Sequence, residues 1–101
     1  MEKKMNTTID FELVDGRVVP MTLFFYALYQ FKSKNKPLYD RYNKVMTKGA
    51  QDEFDMITVL YTAYCCANDD PMTEEEFIMA LGCDRKAVAE AVQALTQPKK
   101  Q

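Results

Sequence analysis

The sequence predicts a mainly α-helical protein: an N-terminal β-hairpin followed by about five short helices in one compact bundle, the last two in a helix-turn-helix-like arrangement. Of its 101 residues, 48% are hydrophobic and 28% charged, a composition typical of a folded domain. The chain is too short to form two such domains. Apolar and polar residues alternate near the start, and apolar residues then recur at helical spacing. We expect a single domain over 1–101, with a hairpin at 7–20, helices within 22–96, and disordered tails at 1–6 and 97–101.

The hairpin is predicted by a period of two. Ile9, Phe11 and Leu13 alternate with acidic residues, which places the apolar side chains on one face of a strand. Asp15-Gly16 between two β-prone runs favours a type I′ turn, in which both central residues have positive φ. Because two strands alone are marginal in water, we expect their apolar face to pack on the helix that follows.

The first helix is predicted to begin after Thr22 as N-cap, with Met21 and Tyr26 as a hydrophobic staple, and to end near Lys34. One of its faces has the spacing of core residues. The residues of that face are Phe24, Ala27, Leu28 and Phe31.

The other sides of this helix are also apolar. Phe25, Tyr26 and Tyr29 lie off the core face, and no charge appears before Lys32. Either the hairpin and the other helices cover this flank, or it docks a second subunit or a client protein. We therefore take Phe25, Tyr26, Tyr29 and Lys32 as the candidate partner-binding residues.

Two further helices follow. Pro37 suits the first turn of a basic second helix that ends before Gly49. Asp52 begins the third and most periodic helix, which should end near Ala67 and form the centre of the core. Its apolar positions are Phe54, Ile57, Leu60, Tyr61 and Tyr64.

The last two helices are marked by caps. Thr73-x-x-Glu76 is a capping box that opens the fourth helix, which should end at Leu81 before Gly82-Cys83. Asp84 is the predicted N-cap of the fifth, which runs to about Thr96. Its predicted buried stripe consists of Val88, Ala91, Val92 and Leu95.

Composition argues against several function classes. Cys65, Cys66 and Cys83 form no Cys-x-x-Cys pair, and without histidine neither a zinc site nor a Ser-His or Cys-His nucleophile pair is available. We expect no enzyme activity, no metal site and no cofactor. The longest apolar stretch, 18–31, is too short to span a bilayer, and no apolar signal core follows the start, so we expect no membrane association and a cytoplasmic location.

Charge is divided unevenly along the chain. Residues 1–50 hold nine Lys or Arg against five Asp or Glu (+4), whereas residues 51–101 hold four against ten (−6). These are either two solvated faces of one domain or the two ends of a protein that stacks head to tail in a homo-oligomer. Tyr39 and Tyr42 among the bases could indicate single-stranded nucleic acid, but the acidic second half makes nucleic acid an unfavoured partner.

A small DNA-binding regulator is the alternative reading of residues 74–96. Phe77, Leu81, Gly82 and Val88 resemble the packing positions of a DNA-binding helix-turn-helix. Against it, residues 72–96 carry five acids and two bases (net −3), and Ile78 stands where such motifs prefer a small residue.

Residues 7–96 as a whole resemble the tail assembly chaperones of long-tailed bacteriophages of the siphophage type. Besides an aromatic first helix and a helix near Tyr39 and Tyr42, the resemblance lies in three stretches: Ile-Asp-Phe-Glu-Leu-Val-Asp-Gly-Arg-Val-Val at 9–19, Asp-Met-Ile-Thr-Val-Leu-Tyr-Thr-Ala-Tyr at 55–64, and Met-Thr-Glu-Glu-Glu-Phe-Ile-Met-Ala-Leu at 72–81.

The resemblance implies a non-enzymatic, self-associating protein encoded by a phage or prophage. Such a protein holds the tape measure protein soluble in the bacterial host, helps recruit tail tube protein and is absent from the mature virion. Many such genes are also read through a backward ribosomal slip near their end, and Pro98-Lys99-Lys100 can be encoded by a slippery sequence. We therefore expect a minor, longer product.

Overall fold

The computed structural model describes residues 8–97, which form a two-stranded antiparallel hairpin followed by five helices. This confirms the predicted fold class. The elements are β1 (Thr8–Glu12), β2 (Val18–Thr22), α1 (Phe25–Lys34), α2 (Lys36–Lys48), α3 (Glu53–Cys66), α4 (Glu74–Leu81) and α5 (Arg85–Thr96). The tails expected at 1–6 and 97–101 lie outside the described residues, except Gln97, which caps α5.

The turn of the hairpin differs from the predicted type I′ turn. Only Gly16 has a positive φ, of 92°, and no non-glycine residue among the described ones does, so Asp15 keeps the usual negative φ. The Gly16 amide donates to the Leu13 carbonyl at 2.9 Å, and the Leu13 amide donates to the Arg17 carbonyl at 2.8 Å. One residue at positive φ is enough because only three residues, 14–16, lie between the hydrogen-bonded Leu13 and Arg17, and the glycine bulge matches the twist of the strands.

Helix α1 begins later than expected. Thr22 is the last residue of β2, where it pairs with Thr8, and its hydroxyl accepts a hydrogen bond from the Phe24 amide at 3.2 Å. The N-cap position falls to Phe24, whose side chain makes no capping hydrogen bond. The strand therefore includes the residue predicted as the cap, because ladder pairing with β1 holds Thr22 in extended backbone.

Helix α3 is the centre of the fold, as predicted. It packs against β2, α1, α2, α4 and α5, and all seven residues from 58 to 64 are buried. Thr62, with no exposed surface, satisfies its hydroxyl by donating to the Thr58 carbonyl at 2.8 Å. Phe54 was expected in the core but is 57% exposed, because a side chain in the first turn of a helix points back past the helix start.

The hairpin packs mainly on α3 and α5, whereas the sequence predicted α1 as its main partner. Its buried residues Phe11, Leu13 and Met21 join the same core cluster as Phe77 and Leu95. The Val14 amide also donates to the Ala80 carbonyl at 3.0 Å, which ties the turn of the hairpin to the end of α4. The strands thus cover α3 and α5 and leave one side of α1 exposed.

The predicted caps of the last two helices are present, and Asp52, which was predicted to begin α3, is its N-cap. Asp52, Thr73 and Asp84 each accept a hydrogen bond from a backbone amide three residues ahead, and Glu76 completes the capping box of α4. Helix α2 has a cap that the sequence analysis did not identify, because the Asn35 side chain accepts from the Leu38 amide. No helix within residues 8–97 combines the length and the apolar character that crossing a bilayer requires.

Candidate functional site

The aromatic flank of α1 is exposed. Phe25 is 87% exposed, Tyr29 71% and Tyr26 59%, values that belong to surface residues although all three side chains are largely apolar. Lys32 is exposed as well. We call these four residues the aromatic face.

Only one side of α1 is used for packing. Leu28 and Phe31 are buried against α2 and α3, whereas Phe25, Tyr29 and Lys32 follow one another at spacings of four and three along a neighbouring, exposed stripe. Because the hairpin packs elsewhere, nothing in residues 8–97 covers this stripe. The structure therefore brings the four predicted residues together on one surface.

The rings within the aromatic face are ordered by mutual contact. Tyr26 and Tyr29 are stacked, with centroids 6.1 Å apart and an interplanar angle of 24°. The Gln30 amide nitrogen lies 3.4 Å from the Tyr26 hydroxyl. Such an arrangement reduces the side-chain entropy that a partner has to overcome on binding.

A groove of about 370 Å³ runs beside the aromatic face, between α1 and α2. Its walls include Phe25, Tyr29 and the half-exposed Met46, and its buried part is formed by Leu28 and Tyr42. Burial raises the pKa of Tyr42 to about 12, so this phenol stays neutral. The groove is thus a mainly aromatic and apolar surface, with Lys32 as the one charged residue of its described lining, of the kind that receives apolar side chains.

Positive charge borders this groove. The Lys32 ammonium lies 5.5 Å from the centroid of the Tyr39 ring, within the range of a cation–π contact. On α2, Lys36 is paired with Asp40 at 3.0 Å. An apolar partner that also carries carboxylates would match the aromatic face together with Lys32.

The cysteines are placed as packing residues. Burial raises the pKa of Cys65 to about 11 and that of Cys66 to about 12, which keeps both thiols protonated near neutral pH. Cys83 is exposed in the turn before α5. Within residues 8–97, no three His, Cys, Asp or Glu side chains are grouped as a metal ion would need.

The helix-turn-helix region has a mixed surface. Helices α4 and α5 flank Gly82 as predicted, but Arg85, one of the two bases at the start of α5, binds Glu53 of α3 with its Nε 2.6 Å from Oε1. The first turn of α4 carries Glu74, Glu75 and Glu76. This region therefore presents more negative than positive charge where DNA phosphates would have to approach.

Sequence reasoning missed a second apolar surface, a groove of about 410 Å³ between α3, α4 and α5. We call it the α3–α5 groove. Its apolar lining includes Phe54, Met56, Ile57, Ile78, Leu81, Val88 and Ala89. The ion pair between Glu53 and Arg85 lies at its edge. The overlooked signal was the position of Phe54 in the first turn of α3, where a side chain can extend beyond the bundle.

No family model, no curated protein and no solved structure matches this chain at a significant level. The exposed aromatic face is therefore the feature on which a functional assignment depends.

Proposed function

We propose that this chain is a tail assembly chaperone of a long-tailed bacteriophage. It is a non-enzymatic, self-associating protein that holds the tape measure protein soluble and helps recruit tail tube subunits in the cytoplasm of the bacterial host. The observation that supports this proposal best is the exposure of Phe25, Tyr26 and Tyr29 on one face of α1, in a protein small enough to need its apolar residues for its own core.

The chemistry of this surface suits a long, helical and aggregation-prone client. Aromatic rings and methionine offer large apolar contact with little demand on direction, so they can bind several similar apolar stretches of one client. Met46 extends the aromatic face across the groove to α2. Lys32 adds a charge that favours clients with acidic residues beside their apolar ones.

A DNA-binding regulator remains the second hypothesis, with less support. Arg85 is engaged with Glu53, and ten acids against two bases occur between residues 51 and 97. A salt-dependent titration with duplex DNA tests it, because binding through phosphates weakens steeply as salt increases.

The main experiment is co-expression with the tape measure gene of the same phage genome, measuring the soluble fraction of the tape measure protein. The wild-type chain should keep it soluble and copurify with it, whereas Phe25→Asp and Tyr29→Lys should not. Met79→Lys is the matched control, since Met79 is 74% exposed but lies on α4. If all four chains keep the client soluble equally well, the aromatic face is not the binding site; if none does, the proposed function is wrong.

A second experiment concerns the gene. Expression with its native downstream DNA and an N-terminal tag, followed by intact-mass measurement, should give a main product whose mass is that of the tag plus 11.7 kDa, and a minor longer one with the same N-terminus. A longer product would strongly favour the chaperone function. A single product would favour the DNA-binding hypothesis, and the titration with duplex DNA would then be the next experiment.

A further inference from the structure

Two exposed apolar surfaces lie on different sets of helices. The aromatic face projects from α1, and the α3–α5 groove is a concave surface lined mainly by apolar side chains from three helices. We propose that the aromatic face of one copy docks into the α3–α5 groove of the next copy, so that the chain associates head to tail.

Shape and polarity agree with this pairing. Phe25, at the first position of α1, is 87% exposed and therefore projects from the surface, as an anchor side chain must. The groove, of about 410 Å³, has room for such a ring, and Phe54, Ile57 and Val88 supply apolar walls.

Charge complementarity identifies a second copy as the occupant. Among the described residues, 8–50 contain seven Lys or Arg and four Asp or Glu (+3), whereas 51–97 contain two and ten (−8). The aromatic face belongs to the basic part and carries Lys32. The groove belongs to the acidic part and is bordered by Glu53, Asp84 and Arg85; because Arg85 is paired with Glu53, Asp84 leaves the border with one net negative charge. Head-to-tail docking brings opposite charges together, while pairing like surfaces would bring together charges of the same sign.

The contact is heterologous, because it joins two different surfaces. After each docking event, the assembly still has a free aromatic face at one end and a free groove at the other. Association therefore continues into longer chains, or the two free ends meet and close a ring. The measured mass should therefore rise with concentration, and it should fall with added salt because charge attraction contributes.

This inference specifies the self-association included in the proposed function and rests on that part of it alone. The aromatic face is also the proposed client site, so docking and client binding exclude each other on one copy. Free tape measure protein should accordingly reduce the mass of the chaperone assemblies.

The test uses two single-site variants of the full chain, each blocked on one surface. Phe25→Asp places a carboxylate on the aromatic face and leaves the groove intact. Ala89→Lys places a long basic side chain at an exposed position that lines the groove and leaves the face intact. Light scattering coupled to size-exclusion chromatography gives the masses, and Met79→Lys again serves as the control.

Wild type and Met79→Lys should form species above 11.7 kDa whose mass rises with concentration. Each blocked variant alone should associate about tenfold more weakly or worse. Mixed in equal amounts, the two blocked variants should restore one docking contact and form a 1:1 complex that grows no further. Tyr29→Lys and Phe54→Ala are the second pair, for use if circular dichroism shows that either first variant is misfolded.

Three results would overturn the inference. If the wild-type chain stays monomeric at all concentrations, head-to-tail docking is excluded. The co-expression experiment still tests separately whether the chain binds the tape measure protein. Loss of association in Phe25→Asp but not in the groove variants would indicate pairing of like surfaces. Failure of the mixed variants to form a complex would show that the face and the groove do not bind each other.

Discussion

The Arg41 guanidinium binds both carboxylate oxygens of Glu74, with Nη1 3.0 Å from Oε1 and Nη2 2.8 Å from Oε2, and so ties α2 to the first turn of α4. Nη2 also donates to the hydroxyl of the buried Thr58 on α3 at 3.1 Å. One side chain thus fixes the relative position of three helices. It also joins the basic and the acidic parts of the chain within one molecule.

The Arg41 contact makes stability depend on pH. The guanidinium holds the pKa of Glu74 below its usual value of 4.5, so the folded state favours the carboxylate more than the unfolded state does. This contribution is fully present above pH 4.5 and is lost as pH falls through the lowered pKa. Since the Arg41 side chain is 51% exposed, we expect Glu74→Gln to lower the free energy of unfolding at pH 7 by about 1 kcal/mol at most.

Urea unfolding of wild type and Glu74→Gln between pH 7 and pH 3 measures this effect. The two should differ at neutral pH and converge in acid, and the difference should shrink with salt. Glu75→Gln, at the next and exposed position in the same turn, should show a smaller difference. Equal losses for both variants would mean that the Arg41 contact contributes nothing beyond the helix dipole.

Gly82 is required at its position for two reasons. Its φ is 66°, and a Cβ there would lie 2.6 Å from Cγ1 of Val14. Gly82→Ala should therefore lower the free energy of unfolding by about 1–3 kcal/mol. Val14→Ala removes the clashing methyl group but not the backbone strain. Gly82→Ala should therefore lower the free energy of unfolding less in the Val14→Ala background than in the wild-type chain. A cost that is unchanged in that background would assign the whole effect to φ.

Phe25→Asp should leave the fold intact. The phenyl ring is 87% exposed, and an acidic residue in the first turn of a helix interacts favourably with the dipole. The melting temperature should therefore stay close to that of wild type. Leu28 lies about one turn further along α1 and is 9% exposed, so Leu28→Ala should lower the free energy of unfolding by about 2–5 kcal/mol. Unfolding of Phe25→Asp would show that the aromatic face belongs to the core.

Two tyrosine hydroxyls hold the backbone of Met72 in the loop before α4. The Tyr61 hydroxyl donates to the Met72 carbonyl at 2.8 Å, and the Met72 amide donates to the Tyr64 hydroxyl at 2.9 Å. Tyr61→Phe and Tyr64→Phe should each lower the free energy of unfolding by about 1 kcal/mol, because each variant removes the hydroxyl that bonds one backbone group of Met72. Thermal unfolding measures this, with Tyr29→Phe on the surface as a control expected to have no effect.

Local features of the sequence were predicted well where short-range chemistry decides them. Asp84 and the Thr73–Glu76 capping box each act within one helical turn, so the residues alone suffice to identify them. Thr22 was misassigned because a threonine before an apolar run suits a helix cap and a strand end equally. Its pairing with Thr8, fourteen residues earlier, decides between them.

The sequence by itself determined the hairpin, the five helices, the caps of the last two helices and the aromatic character of α1, because spacing and capping act between neighbours in the chain. Only the tertiary structure decided which surfaces stay exposed. The hairpin packs on α3 and α5 instead of α1, which uncovers Phe25 and Tyr29, and Phe54 extends beyond the start of α3 to line a groove. The period of an amphipathic helix identifies a face that can be buried, but burial also requires a partner, and the partners here lie far apart in sequence.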